Sequence, residues 1–281
     1  MNKNWFLVDK QKTLQRAVDD FANSSLLSID TEYDSFRYFR EKLCLIQIKA
    51  KTASYIFDPL NGIDLSFLGK YLADPAIIKI LHAADNDIRL LKRDYNFVFE
   101  NIFDTHRAAH LLGLQQLSLE KMIDHFLNVE LKKNKKMQRS RWDTRPLSIE
   151  QLQYGVQDVI YLPALYQAQS AELRNKGLEE TAADAFAKIA ASTWQEKTFD
   201  KRGHTKFACY PFLNHGQKDL LKKLYAWRFA RAKEENRAIF MFLPDQKLID
   251  LVQSGDDWRN ILLQEKVRLY GADLERIFAG D

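Results

Sequence analysis

Two acidic side chains, Asp30 and Glu32, close an apolar run, Ser24-Ser25-Leu26-Leu27-Ser28-Ile29, and nothing else in the chain restricts its fold as tightly. The run reads as a buried strand. Alternation along a strand sends Asp30 and Glu32 to one face and Thr31 to the other. Two carboxylates that close repel each other, and burying both is costly unless a cation compensates. A divalent ion is the usual compensation. Paired hard oxygens suit Mg²⁺ or Mn²⁺ better than zinc, which favours His and Cys.

Three further groups join this pair: Asp87 in LHAADNDI, and Tyr154 and Asp158 in YGVQD. Each also has a purely structural account. An Asp-Thr-Glu triplet after a strand can be a polar loop. Asp87 falls in the first turn of a helix expected over 85–95, where an acid stabilises the helix dipole. Tyr154 and Asp158 are four apart on a helix, share a face, and could simply hydrogen-bond at the core edge. It is their order and surroundings together that point to chemistry.

Taken together, these motifs resemble the DEDD family of 3′–5′ exonucleases, in its tyrosine-bearing, ribonuclease D-like branch. The family's D-x-E at a strand is matched by Asp30 and Glu32, and its L-C-L-I-Q-I strand by Leu43 to Ile48. Its L-H-A-x-x-x-D is matched from Leu81 to Asp87, and its Y-x-x-x-D by Tyr154 and Asp158. The segment R-P-L-S-x-x-Q-L (Arg145 to Leu152), Phe103-Asp104-Thr105 and Ser140-x-Trp142 also fit. The resemblance covers roughly residues 5–173 and, more weakly, the rest. It implies two divalent ions, Mg²⁺ or Mn²⁺, clamping the scissile phosphate. Asp30 would bridge both ions, Glu32 and Asp158 would complete the site of the attacking water, and Asp87 the site of the leaving oxygen. Tyr154 would orient the water, since a phenol with a pKa of about 10 is a poor base. The implied partner is RNA with a single-stranded 3′ end, such as a tRNA precursor; DNA and a non-catalytic RNA-binding role are the alternatives. The chain departs from the ribonuclease D pattern at Ser35, Glu41 and Arg141, and exosome-associated members share an Asp-Ser-aromatic segment at the first of these. None of the departures falls on the five catalytic positions.

The net charge of the 281 residues is only +4, so affinity for a polyanion would have to be local. Leu131 to Arg145 holds seven basic residues against one acid, Asp143, just before the Tyr154 motif. A charge run can be a solvated loop. Placed here, it reads as a phosphate contact made by Lys135, Arg139 and Arg141. Phe36 follows the first motif and is a candidate for base stacking. His82 reads as structural, and Asp104 as a helix cap.

Two cysteines, Cys44 and Cys209, form no disulfide framework or metal spacing. With no apolar leader and no long apolar run, a cytoplasmic protein without membrane contact is expected. No feature names a protein partner.

The pattern predicts an α/β fold: a ribonuclease-H-like mixed sheet flanked by helices, followed by a small all-α helical domain. The expected boundaries are an exonuclease domain over 1–192, a linker over 193–213 and a helical domain over 214–281. Strands are expected at 5–8, 26–30, 43–50, 54–57 and 78–82. Helices are expected at 10–23, 65–73, 85–94, 104–112, 119–126, 149–173 (broken at Pro163) and 179–191. The last domain is similar to the HRDC module in its Trp227-Arg228 pair, its Leu243-Pro244-Asp245 cap and the following Leu248 and Leu251, with Ala238 where a Pro is usual. Its twelve basic and eleven acidic residues make no strong cationic clamp.

Overall fold

The computed structural model describes residues 4–131 and 135–280. They form two units, one of Met1–Asp34 with Lys42–Gln195 and one of Ser35–Glu41 with Glu196–Asp281.

The first unit is built on six strands: β1 (Trp5–Val8), β2 (Leu26–Asp34), β3 (Lys42–Lys49), β4 (Ser54–Phe57), β5 (Ile78–Leu81) and β6 (Ile102–Asp104). Their order is β1-β4-β3-β2-β5-β6. The β4–β3 and β3–β2 pairs are antiparallel and the others parallel, so the sheet is mixed. β2 lies inside the sheet and runs to Asp34, four residues beyond the expected end, which puts Asp30 and Glu32 within the strand rather than after it. β6 was not foreseen; three residues are too few to show an alternation.

Among the described residues this unit has nine helices: α1 (Gln11–Ala22), α2 (Leu68–Leu72), α3 (Asp85–Tyr95), α4 (Thr105–Leu111), α5 (Leu119–Leu127), α6 (Lys135–Gln138), α7 (Ile149–Ile160), α8 (Leu162–Asn175) and α9 (Glu179–Ala191); the short α6 was not foreseen, and the others follow the expected order. The helix expected over 149–173 is two, with Pro163 in the first turn of α8, where its missing N–H costs nothing. Alternation along β3 divides the core. Ile46 and Ile48 enter the main apolar cluster on one face, with Phe21, Phe57 and Leu91. Leu45 enters a smaller cluster on the other face, with Trp142, Leu152 and Val156. A bulge between Glu32 and Tyr33 pairs these with Leu45 and Leu43, leaving Cys44 as the extra residue.

The second unit contains α10 (His215–Glu234), α11 (Ile239–Phe242), α12 (Asp245–Ser254) and α13 (Gln264–Ala279) around Leu221, Leu224, Phe242, Leu248 and Leu274. The stretch expected to be a linker instead folds with it from Glu196 onward. It makes 3₁₀ turns at Gly203–Lys206 and Tyr210–Phe212, and Phe207 and Tyr210 pack against the helical core. Ser35–Glu41 also belongs here. Phe39 is buried against Phe229, ring centroids 5.2 Å apart, and the Arg40 N–H donates to Asn236 at 2.7 Å. Among the described residues no helix is long and apolar enough to cross a membrane.

Candidate active site

Asp30 and Glu32 pair across the sheet with Gln47 and Leu45, so their side chains share the face on which α7 packs. α7 starts with a reciprocal cap: Ser148 Oγ accepts from the Gln151 N–H at 3.2 Å, and Gln151 Oε1 accepts from the Ser148 N–H at 2.9 Å. That cap is the physical content of the S-x-x-Q motif. It fixes the helix so that Tyr154 and Asp158 reach the strand carboxylates. Trp142, 3% exposed, lies against the Tyr154 ring with centroids 6.1 Å apart, which gives the Ser140-x-Trp142 element its purpose.

Carboxylate oxygens of Asp30, Glu32 and Asp158 all lie within 4.8 Å of one another. Among the described residues none of the three forms a salt bridge with Lys or Arg. The electrostatic consequence is large. Burial, then the charges of Asp158, Asp87 and Glu32, push the Asp30 carboxyl well above the usual carboxylate range. Burial, then Asp158 and Asp87, do the same to Glu32. Asp158 is pushed up to about 7 by burial and by Glu120. The Tyr154 phenol is raised by burial and by Asp158, Glu32 and Asp30, so it stays protonated and can donate.

Asp87 is nearly buried in the first turn of α3 and is pushed up to about 6, burial outweighing a hydrogen bond from the Thr31 hydroxyl. It is not one of the three mutually close carboxylates, although its charge acts on Asp30 and Glu32. The turn leading to it is strained. Ala83 has φ 57°, a left-handed conformation that costs an alanine roughly 1–2 kcal/mol. Asp104 pins that turn, accepting from the Ala84 N–H at 2.7 Å and from the Arg107 N–H of α4 at 2.6 Å. The expected cap thus also holds the loop that presents Asp87. His82 is tied to Thr105 Oγ1 at 2.8 Å, and burial and His106 lower its pKa to about 4, in keeping with a structural role.

The substrate-binding candidates are less concentrated. Arg139 and Arg141 are exposed, and Arg141 makes a two-point ion pair with Asp143 at 2.9 and 3.1 Å. The Lys135 side chain lies outside the described residues. Arg145 is withdrawn from the basic run altogether: it grips the buried Asp58 at 2.5 and 2.6 Å and donates to the Cys44 carbonyl. Phe36 falls in the second unit, 60% exposed, with its ring 4.9 Å from that of Phe240.

Three participants were not singled out from the sequence. Thr31 was assigned only to the opposite face, yet it holds Asp87. Glu120 acts on Asp158 from α5. Gln47 is fully buried with both amide atoms unpartnered among the described residues. A polar residue inside an apolar strand was the available signal for Gln47; for the other two there was none.

Comparison with known proteins gives the same picture. Residues 6–174 match the profile of a 3′–5′ exonuclease family, and residues 217–277 that of the HRDC domain. An exosome complex component 10 homolog from Drosophila melanogaster is 29% identical over 88% of this chain. The chain spans only 28% of that protein's length. The catalytic core of RRP6 from Trypanosoma brucei superposes with a TM-score of 0.88 at 23% identity, covering 99% of this chain and 79% of that one. Escherichia coli RNase D, described as an exoribonuclease involved in structured RNA processing, gives 0.72 at 22%, covering 98% and 74%. At these identities the two structures speak for the fold.

Proposed function

The chain belongs to the 3′–5′ exonuclease family and carries an HRDC domain, and on that premise we propose that it degrades RNA from a single-stranded 3′ end, releasing 5′-mononucleotides. The observation that carries the reading is the uncompensated triad of Asp30, Glu32 and Asp158. Three carboxylates this close, with raised pKa values and no basic partner described, form a hard-oxygen donor set that suits Mg²⁺ or Mn²⁺. These three would hold one ion, and Asp30 with Asp87 a second. Ions bound there supply positive charge on the scissile phosphate and lower the pKa of water to near neutrality. The chain's own residues do the rest. Tyr154, protonated and held by Trp142, donates from its hydroxyl to the attacking water and so aims its lone pair at phosphorus. Arg139, Arg141 and Lys135 would track the phosphates upstream, and Phe36 would stack a base.

RNA is preferred over DNA because RNA processing is what the RNase D-like neighbour is described as doing, and the exosome component points the same way. The natural substrate we propose is the 3′ end of a structured RNA precursor. Matched 5′-labelled RNA and DNA oligonucleotides, incubated with Mg²⁺ or Mn²⁺, test this. The expected result is a ladder shortening from the 3′ end, stronger on RNA and abolished by EDTA or Asp30→Asn. A ladder on DNA alone overturns the substrate assignment, and no ladder on either, with the fold intact, overturns the activity.

A further inference from the structure

Gln47 is a feature of this site that packing leaves unexplained. It sits on β3 directly opposite Asp30, with Ile56 of β4 on its other side, and its side chain has no exposed surface. Both amide atoms are buried, and neither finds a hydrogen-bond partner among the described residues. A leucine would fill nearly the same volume without unmet polar atoms, so an apolar side chain would serve the core better.

The residue above it is as unusual. Gly155 lies inside α7, where glycine weakens a helix relative to alanine. A Cβ there would come 2.5 Å from Gln47 Nε2 and 3.3 Å from its Cδ and Cγ. Real Cβ contacts do not reach 2.5 Å, and a fully buried side chain has little room to retreat. Gly155 follows Tyr154 and precedes Asp158 by three residues. The height at which α7 rests on Gln47 is therefore the height at which the helix presents its phenol and carboxylate to Asp30 and Glu32.

We propose that Gln47 is a positioning residue for the metal site. Through Gly155 it seats α7 at the depth that lets the strand and helix carboxylates share a cation, and its amide, unpartnered among the described residues, is kept to donate to Asp30 opposite it once a cation holds that carboxylate ionised. This rests on the metal-ion reading given above. The inference accounts for both anomalies at once: the glycine makes room for the amide, and the amide is kept for the site rather than for the core.

The test measures Mn²⁺ affinity by calorimetry, RNA kcat and KM, and thermal stability on the full chain. Gln47→Leu keeps the volume and removes the amide. It should melt at the same temperature as the parent or higher, yet bind Mn²⁺ roughly 10–100-fold more weakly. Its kcat should fall while its KM for RNA holds. Gly155→Ala should also weaken Mn²⁺ binding in the parent, whereas in a Gln47→Ala background, where the space the new methyl needs is already empty, it should weaken binding no further. Gln47→Leu with parental Mn²⁺ affinity and kcat overturns the role of the amide. If Gly155→Ala binds Mn²⁺ like the parent, or weakens binding as much in the Gln47→Ala background as in the parent, the seating of α7 is overturned. A parent chain that binds no Mn²⁺ and cuts no RNA would fail the underlying reading instead, so the two failures are distinguishable.

Discussion

Buried charge is handled in opposite ways in the two units. In the helical unit Asp273 accepts from Trp227 Nε1 at 3.0 Å and from Arg231 Nε at 2.8 Å. Burial alone would raise its pKa, but these donors hold it below the usual carboxylate range. The nearly buried Arg228 is likewise answered, by Asp245 at 2.6 Å and the Leu243 carbonyl at 3.1 Å. In the sheet unit Asp30, Glu32 and Asp158 face one another with no such partner described, and their pKa values rise. The same side-chain chemistry therefore serves cohesion in one place and is held in reserve for a ligand in the other. Stability is lower where the ligand is to bind.

The contrast is broken most sharply at Asp30. Asp30→Asn should reduce turnover by about 10³-fold or more, ~4 kcal/mol of transition-state stabilisation, with RNA binding largely retained. It should also raise the melting temperature of the metal-free protein by relieving repulsion. A lower melting temperature would mean that the carboxylate was already satisfied. The converse change is Asp273→Ala, which leaves Arg231 and the Trp227 N–H without their acceptor. It should cost about 1–3 kcal/mol in urea unfolding while kcat on RNA stays near the parent's.

Acid and base should separate the two regions further. A carboxyl whose folded pKa is raised adds stability at low pH and loses it as pH rises through that value. With Asp87 at about 6 and Asp158 at about 7, the metal-free protein should lose thermal stability from pH 5 to 8. Mn²⁺ should reverse the loss, more strongly at the higher pH, because binding displaces protons. Asp273, lowered, works the other way, and its contribution should vanish only as pH falls below about 4. Melting curves at stepped pH, with and without Mn²⁺, check both signs; a metal-free protein that gains stability from pH 5 to 8 would contradict the reserve. The smallest effect is expected at Arg139. Arg139→Glu should weaken RNA binding and reduce its salt dependence by about one unit of log–log slope. Unchanged binding would return that stretch to a solvated loop.

Much of the sheet unit was legible because its signals are local. An apolar run located β2 and the L-C-L-I-Q-I segment β3, Pro163 divided α7 from α8, and the spacing of Tyr154 and Asp158 fixed their common face. What escaped depends on partners distant in sequence. Thr31 meets Asp87 across 56 residues, and nothing near either announces the bond. Arg145 looked like one more cation in a basic run until the fold set Asp58 beside it. The stretch 196–213 lacks periodicity because it makes short 3₁₀ turns rather than long helices, so a linker was the natural expectation.

The membership of Ser35–Glu41 in the helical unit bears on how the chain is made. Phe39 emerges from the ribosome about 190 residues ahead of Phe229, the ring it packs against. At synthesis rates of ~5–20 residues per second that is a wait on the order of 10–40 s. Throughout it the strand carrying Asp30 and Glu32 leads into a segment whose apolar anchor has nowhere to go. The sheet unit, although it precedes the helical unit in the chain, cannot settle its own β2–β3 connection until α10 has been delivered.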